Sequence, residues 1–305
     1  MDKITQTLLE QVADLHEIPS GAYNIRKDGQ LLSRNVSANI DIVTKIDKPG
    51  IDIIIKDNTV NESVHIPVII AQSGLKESVY NDFFIGENCD VTIIAGCGIH
   101  NGGKDASEHS GIHSFDIGKN SKVKYVEKHY GQGEGTGERI MNPTTNVLLR
   151  EGAYLEMDTV QIEGIDSTKR ETRARVLDNA KLVIKEKIMT HDKQYAETNF
   201  SVDLDGENSS ADLVSRSVAK NESKQVFNSE MNGNNVCHGH SECDAIIMDQ
   251  ASVKALPALT ANDVDASLIH EAAIGKIAGE QLIKLMTLGL TEEEAEKEIV
   301  NGFLK

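Results

Sequence analysis

The chain has 305 residues, enough for one large domain or two modest ones with a substantial core. A formal net charge of −17 repels phosphate and argues against a nucleic-acid or anionic-membrane surface. Hydrophobic residues make up 39% and aromatics only 4%, with no Trp, so Val, Ile, Leu and Ala must build the core. No run of about 18 apolar residues predicts a membrane span. The opening stretch MDKITQTLLEQVADLHEI lacks the basic-then-apolar order of a secretory signal. Four scattered Cys without a framework spacing fit a reducing cytosol, and a cytoplasmic location is expected.

Residues 4–16 place Ile4, Leu8, Leu9, Val12 and Leu15 on one stripe at helical period, predicting a short amphipathic helix stopped by Pro19, Ser20 and Gly21. From Ala22 the pattern changes to alternating Val, Ile and Thr at 38–46, 51–57 and 63–72, which reads as strands. A device then recurs: a turn residue, a small residue, one variable position, then Val or Leu. Its small residues are Cys89, Ser121, Ala153, Ala180, Ala211 and Ala251, separated by 32, 32, 27, 31 and 40 positions. Near-periodic spacing of this size marks a repeat architecture. Each unit starts at a turn where Asn or Gly tolerates left-handed φ, and stacked coils share a core that one coil cannot bury alone. The fold expected is mainly β, a solenoid; an antiparallel sandwich with similarly spaced hairpins is the alternative.

Two stretches hold metal-ligating residue types. In 97–113, Cys97, His100, His109 and His113 resemble a zinc set in composition, although the central gap is shorter than in a zinc finger. The plainer expectation is a Gly-rich polar loop leaving the strands. The loop GQGEGTGE at 131–138 lacks a phosphate-cradle pattern, so no nucleotide is expected on this chain. In 234–271 lie Cys237, His238, His240, Cys243, His270 and Glu271. Their spacing is neither a zinc ribbon nor a ferredoxin run, so a site here must be assembled by the fold or shared between chains. Cys243 can equally be a buried strand residue, and Cys237, His238 and His240 exposed loop residues. His270 and Glu271 would point about 100° apart on a helix and to opposite faces in a strand.

After Glu271 the period returns to helical. A helix is predicted over 280–288 with Leu282, Ile283, Leu285 and Met286, stopped by Gly289. Thr291 and Glu294 then form a capping box for a second helix carrying Ala295, Ile299, Val300, Phe303 and Leu304 on one side. The expected division is an N-terminal helical segment (1–21), a β core (22–262) and a C-terminal helical module (263–305) that caps the solenoid or docks a partner.

The segments GHSECDAIIMD at 239–249 and ASLIHEAAIGKIAGEQLIKLMTLGLTEEEAEKEIVNGFL at 266–304, with VKYVEKH and the repeats upstream, strongly resemble the SufB/SufD family in a short, SufB-like form. The resemblance covers most of the chain and is weakest before about residue 60. It implies a right-handed parallel β-helix flanked by helices. It further implies a non-enzymatic scaffold that builds a transient iron–sulfur cluster with a SufC-like ABC-type ATPase, which hydrolyses the ATP. By the same resemblance Cys243 corresponds to a cluster-holding cysteine, Glu271 to the glutamate that accompanies it and His270 to a functional histidine of SufD. Cys97 corresponds to a cysteine linked to sulfur delivery; His129 either lines the interior near it or is a surface strand residue. Leu282, Ile283, Met286, Ile299 and Phe303 fall where the family docks its ATPase. The chain is shorter than the usual members, mostly at the N-terminus, which puts its sulfur donor in doubt. It joins SufB-type Cys and Glu to a SufD-type His, so a homodimer is expected in place of a heterodimer with a paralogue. Sulfur donors and cluster acceptors are the other expected partners. The rival readings are a zinc-stabilised interaction protein and a solenoid acting on polysaccharide.

Overall fold

The computed structural model of the chain describes residues 2–16 and 19–305, with Glu163 described by its backbone alone. Helix α1 spans Lys3–Ala13, capped by Asp2, whose carboxylate accepts the Thr5 N–H at 2.9 Å. It ends earlier than Pro19 because Asp14 takes the left-handed conformation (φ 53°), and its N–H bonds the Glu10 carbonyl.

Twenty strands follow among the described residues. The first group is β1 (Ala22–Lys27), β2 (Gln30–Asn35), β3 (Ile40–Thr44), β4 (Gly50–Ile55), β5 (Val60–Ile70), β6 (Lys76–Ile85) and β7 (Asp90–His100). The next is β8 (Ser107–Ile117), β9 (Lys122–Gln132), β10 (Arg139–Met141), β11 (Thr144–Leu149), β12 (Tyr154–Glu163), β13 (Ser167–Val176) and β14 (Lys181–Thr190). The last is β15 (Tyr195–Leu204), β16 (Ser209–Ala219), β17 (Lys224–Gly233), β18 (Cys237–Ile247), β19 (Ser252–Ala261) and β20 (Ser267–Gly275). Helices α2 (Gly279–Thr287) and α3 (Glu292–Phe303) close the chain. Among the described residues no helix is long and apolar enough to cross a membrane.

From β4 onward successive strands alternate between two ten-stranded sheets, save that β10 and β11 share one. The first runs β2-β1-β5-β7-β9-β12-β14-β16-β18-β20, and the second β19-β17-β15-β13-β10-β8-β6-β4-β3, with β11 between β8 and β13. Apart from the hairpins β1–β2 and β3–β4 at the N-terminal end, the pairings are parallel. The fold is a right-handed parallel β-solenoid of about eight turns with helices at its ends. Between the sheets lie ladders of Ile, Val, Leu and Ala, with a few aromatics such as the stacked Phe83–Phe115 pair at 4.3 Å.

The turn device works as expected at its first four positions: Asn88, Asn120, Gly152 and Asn179 have positive φ, and Cys89, Ser121, Ala153 and Ala180 are buried. The last two positions need correction. Strand pairing sets Ala180 beside Ser209, not Ala211, because Asn208 takes the left-handed turn. Ser209 in turn pairs with Cys237, so Cys237 is the next small residue of the stack, and Ala251 lies just before β19 of the opposite sheet. That jump between sheets is why the last spacing had stretched to 40.

A second correction concerns 97–113. Residues 97–100 end β7 and 107–113 belong to β8, so only 101–106 is loop. His100, His109 and His113 are strand residues, because alternate positions there face a packed interior.

Helix α1 lies on the outer face of the first sheet. A Cβ on Gly96 would come 2.1 Å from the Val12 carbonyl oxygen, so glycine is what lets the helix backbone touch the strand. At the other end α3 buries Val300 and Leu304 against Val218, with Met189 and Ile246 alongside. The segment 263–305 begins with a solenoid strand, β20, before its two helices. The strands β19 and β20 are the terminal members of their sheets, with no further strand beyond them among the described residues.

Candidate functional site

Strand register builds the site. In the first sheet every second residue faces inward, and pairing aligns these residues into rows along the solenoid. One row reads Glu127, Thr159, Glu186, Ser215, Cys243 and Ala272. The adjoining row begins Cys97, His129, Gln161. A file of polar side chains therefore runs inside an otherwise aliphatic body, with a thiol at each end. Cys97 and Cys243 are five strand spacings apart, roughly 24 Å at about 4.8 Å each.

At the first thiol, Cys97 is buried and hydrogen-bonded by both His109 and His129. Burial pushes the Cys97 thiol up, but the two imidazoles outweigh that and bring it to about 7. Burial pulls His109 down, yet the Cys97 sulfur and the Glu77 carboxylate, 3.1 Å from Nδ1, lift it to about 10. His113 lacks such a partner: burial dominates and holds it at about 4, with Nδ1 2.9 Å from the Tyr125 hydroxyl.

The middle of the file is a buried ion cluster. Arg170 donates to Glu127 Oε2, and its Nη2 lies 3.3 Å from His129 Nδ1. Its Nε lies 3.5 Å from Glu186 Oε1. Burial works against a Glu127 carboxylate, but Arg170 and then His129 hold it well below the usual range. Glu186 is raised, chiefly by burial. It accepts from Ser215 Oγ at 2.8 Å and from Thr198 Oγ1 at 2.9 Å. Beside it is a cavity of about 10 Å³ lined by Ser215, Ser217, Thr198 and Gln225, at the lower limit for one water. Thr159 Oγ1 and Gln161 Oε1 are buried without a hydrogen-bond partner.

At the far end Cys243 is 1% exposed, between Ser215 and Ala272. Burial, followed by Glu186 and Asp244, pushes its thiol up to about 12. His270 sits on β20 opposite Ser241, on the same inward face and diagonal to Cys243; its Nδ1 has no partner. Glu271 pairs with Glu242 on the outer face. The extended backbone thus separates His270 and Glu271: the histidine shares the interior with Cys243, the glutamate does not.

The other predicted residues divide between core, surface and tail. Cys237 is fully buried rather than exposed, since it is the stacked small residue. His238 is exposed, and His240 Nδ1 is 2.8 Å from Asp212 Oδ1 on the outer face. Of the proposed zinc set, Cys97 and His109 touch, while His113 turns to Tyr125. Among the described residues, no three His, Cys, Asp or Glu side chains gather as a metal-ligand group. On α2, Ile283 and Met286 are 63% and 42% exposed, and Leu282 is half-buried. Ile299 and Phe303 are half-buried on α3, with Phe303 against the solenoid.

Sequence reasoning missed Glu77, Glu127, Arg170, Glu186 and Ser215. A signal was present. Glu127, Thr159, Glu186, Ser215 and Cys243 each follow a stacked small residue by six positions, namely Ser121, Ala153, Ala180, Ser209 and Cys237. The frame error at Ala211 hid it.

A family model described as "SUF system FeS cluster assembly, SufBD core domain" matches residues 80–303. Three curated relatives are named as iron–sulfur cluster assembly SufBD family proteins. That of Archaeoglobus fulgidus is 30% identical over 75% of this chain and 61% of its own length. That of Methanothermobacter thermautotrophicus (strain Winter) is 28% identical over 78% of this chain and 57% of its own. That of Pyrococcus horikoshii is 27% identical over 97% of this chain and 84% of its own. The chain thus spans about three-fifths of the length of two of these relatives.

Proposed function

Since the chain belongs to the SufBD family of iron–sulfur cluster assembly proteins, we propose that it is the scaffold on which a nascent cluster is built at the seam between two copies of itself. The cluster is cargo, held transiently. Cys243 supplies the thiolate, and His270 of the same inward face is its nearest nitrogen donor. Glu271 lies on the outer side of the strand and would reach the cluster only from the seam. The observation that carries this reading is the inward polar file, which ends at Cys243 one strand short of the open edge β20.

In this reading Cys97 accepts the outer sulfur of a donor persulfide. Its S–S bond forms as the donor's breaks, and the donor leaves as a thiolate. The charged and hydroxyl-bearing groups between the two thiols give sulfur anions polar company through an otherwise apolar body. A Cys243 thiol pushed up to about 12 stays protonated until a cation or an opened seam lowers that cost. A SufC-like ABC-type ATPase docking on the exposed apolar face of α2 would supply the movement that opens the seam, a coupling of two sites through one interface. One thiolate per chain beside nitrogen or oxygen donors, joined across a two-fold axis, gives a labile cluster suited to hand-over to acceptor proteins.

The test is co-purification with the SufC-like ATPase and anaerobic reconstitution of wild type and Cys243→Ala. Cluster absorbance should be lost in the variant. Full cluster yield without this thiol would refute the reading.

A further inference from the structure

Cys97, His109 and Glu77 stand in line on β7, β8 and β6. Glu77 and His109 are direct register partners in the second sheet, and Cys97 meets His109 from the first sheet across the interior. His109 Nδ1 is 3.1 Å from Glu77 Oε1, so the other ring nitrogen is left for the sulfur. Cys97 and His109 are buried, and the Glu77 side chain is 10% exposed. Arg26 on β1 lies 3.5 Å from Glu77 Oε2.

We infer that Glu77 is a positioning residue: it fixes His109 as an imidazolium, and through it holds Cys97 as a thiolate inside the solenoid at neutral pH. A neutral imidazole donating from Nδ1 to a carboxylate presents a lone pair to the thiol. When the thiol proton moves to that nitrogen, the new positive charge lies between sulfur and carboxylate, where both stabilise it. Arg26, Glu77, His109 and Cys97 then form two plus and two minus charges, a balance that a low-dielectric interior requires. The remaining groups facing Cys97 do not upset it. His129 on β9 hydrogen-bonds the sulfur, and Glu127 is matched by Arg170 on β13. His113 and Tyr125 are engaged with each other. The arrangement is the thiolate–imidazolium–carboxylate order of an activated cysteine nucleophile. The use of that thiolate to accept sulfur rests on the function proposed above; the ion pair itself does not.

The ultraviolet thiolate absorbance of the full chain, less that of Cys97→Ser, should titrate near pH 7. In Glu77→Gln the midpoint should rise by about one unit, lowering the thiolate fraction at neutral pH about five-fold, with partial rescue in Glu77→Asp. An unchanged midpoint in folded Glu77→Gln would overturn the inference. If that variant does not fold, nitrogen-15 NMR of His109 in the wild type decides: an imidazolium persisting above pH 8 supports it, and a neutral ring there refutes it. Neither readout depends on cluster yield, so failure here is separable from failure of the scaffold reading.

Discussion

Arg170 is the residue on which the interior polarity balances. It touches Glu127 and Glu186, and both carboxylates are buried. Arg170→Ala should therefore cost about 3–5 kcal/mol, because two buried carboxylates lose their cation. Urea unfolding checks this, and Arg170→Lys should recover only part, since a point charge cannot serve Glu127, His129 and Glu186 together. Glu127 gives a pH signature. Its folded carboxyl is held well below its ordinary value of 4.5, so its contribution is present above that value and is lost as pH falls below it. Thermal melts should show the wild type losing stability on acidification more steeply than Glu127→Gln. A parallel decline in the two would contradict the ion-cluster assignment.

Helices α1, α2 and α3 show three relations between a helix and a solenoid. α1 is bound through close backbone approach at Gly96. Gly96→Val should displace it and lower the melting temperature, because the obstructing atoms are backbone carbonyl atoms that cannot swing aside. α3 is bound by side-chain burial of Val300 and Leu304, and its first turn is fixed by the Thr291–Glu294 capping box. Removing the Thr291 hydroxyl should cost about 1 kcal/mol. α2 buries no residue, and Ile283, Met286 and Leu288 face outward. An apolar stripe of this kind fits the docking role proposed for it. Ile283→Glu with Met286→Glu should leave the melting temperature within about a degree while abolishing co-purification with the SufC-like ATPase proposed as its partner. A large loss of stability in that variant would mean the stripe packs on this chain itself.

Considered as a whole, the solenoid has unlike ends. The N-terminal end is closed by the antiparallel hairpins β1–β2 and β3–β4, which divert the edge from further parallel pairing. The C-terminal end leaves β19 and β20 with edges that no strand pairs among the described residues, and Leu256, Ile269 and Ile274 are 45%, 52% and 40% exposed there. Long open edges of this kind invite strand addition. A dimer is expected by light scattering, and Leu256→Lys with Ile269→Lys should yield monomer with the helical and solenoid signals intact. A monomeric wild type, alone and with the proposed ATPase partner, would defeat the shared-seam account.

Local sequence was enough for the architecture and for its frame as far as Ala180. Turn residues at Asn88, Asn120, Gly152 and Asn179 and the small residues that follow are local requirements, since left-handed φ and backbone stacking admit few side chains. The helix signals at Thr291, Glu294 and Gly289 are equally local and were legible for that reason. The tertiary structure alone decided which polar residues meet. Glu77 and His109 are 32 positions apart, and Glu127 and Arg170 are 43 apart. The first contact depends on parallel register between β6 and β8 and the second on two sheets facing each other, and period-two alternation says that a side chain points inward without saying what it will find there. His270 and Glu271 meet the same limit: the sequence left a helix or a strand open there, and the extended backbone of β20 is what sends them to opposite faces.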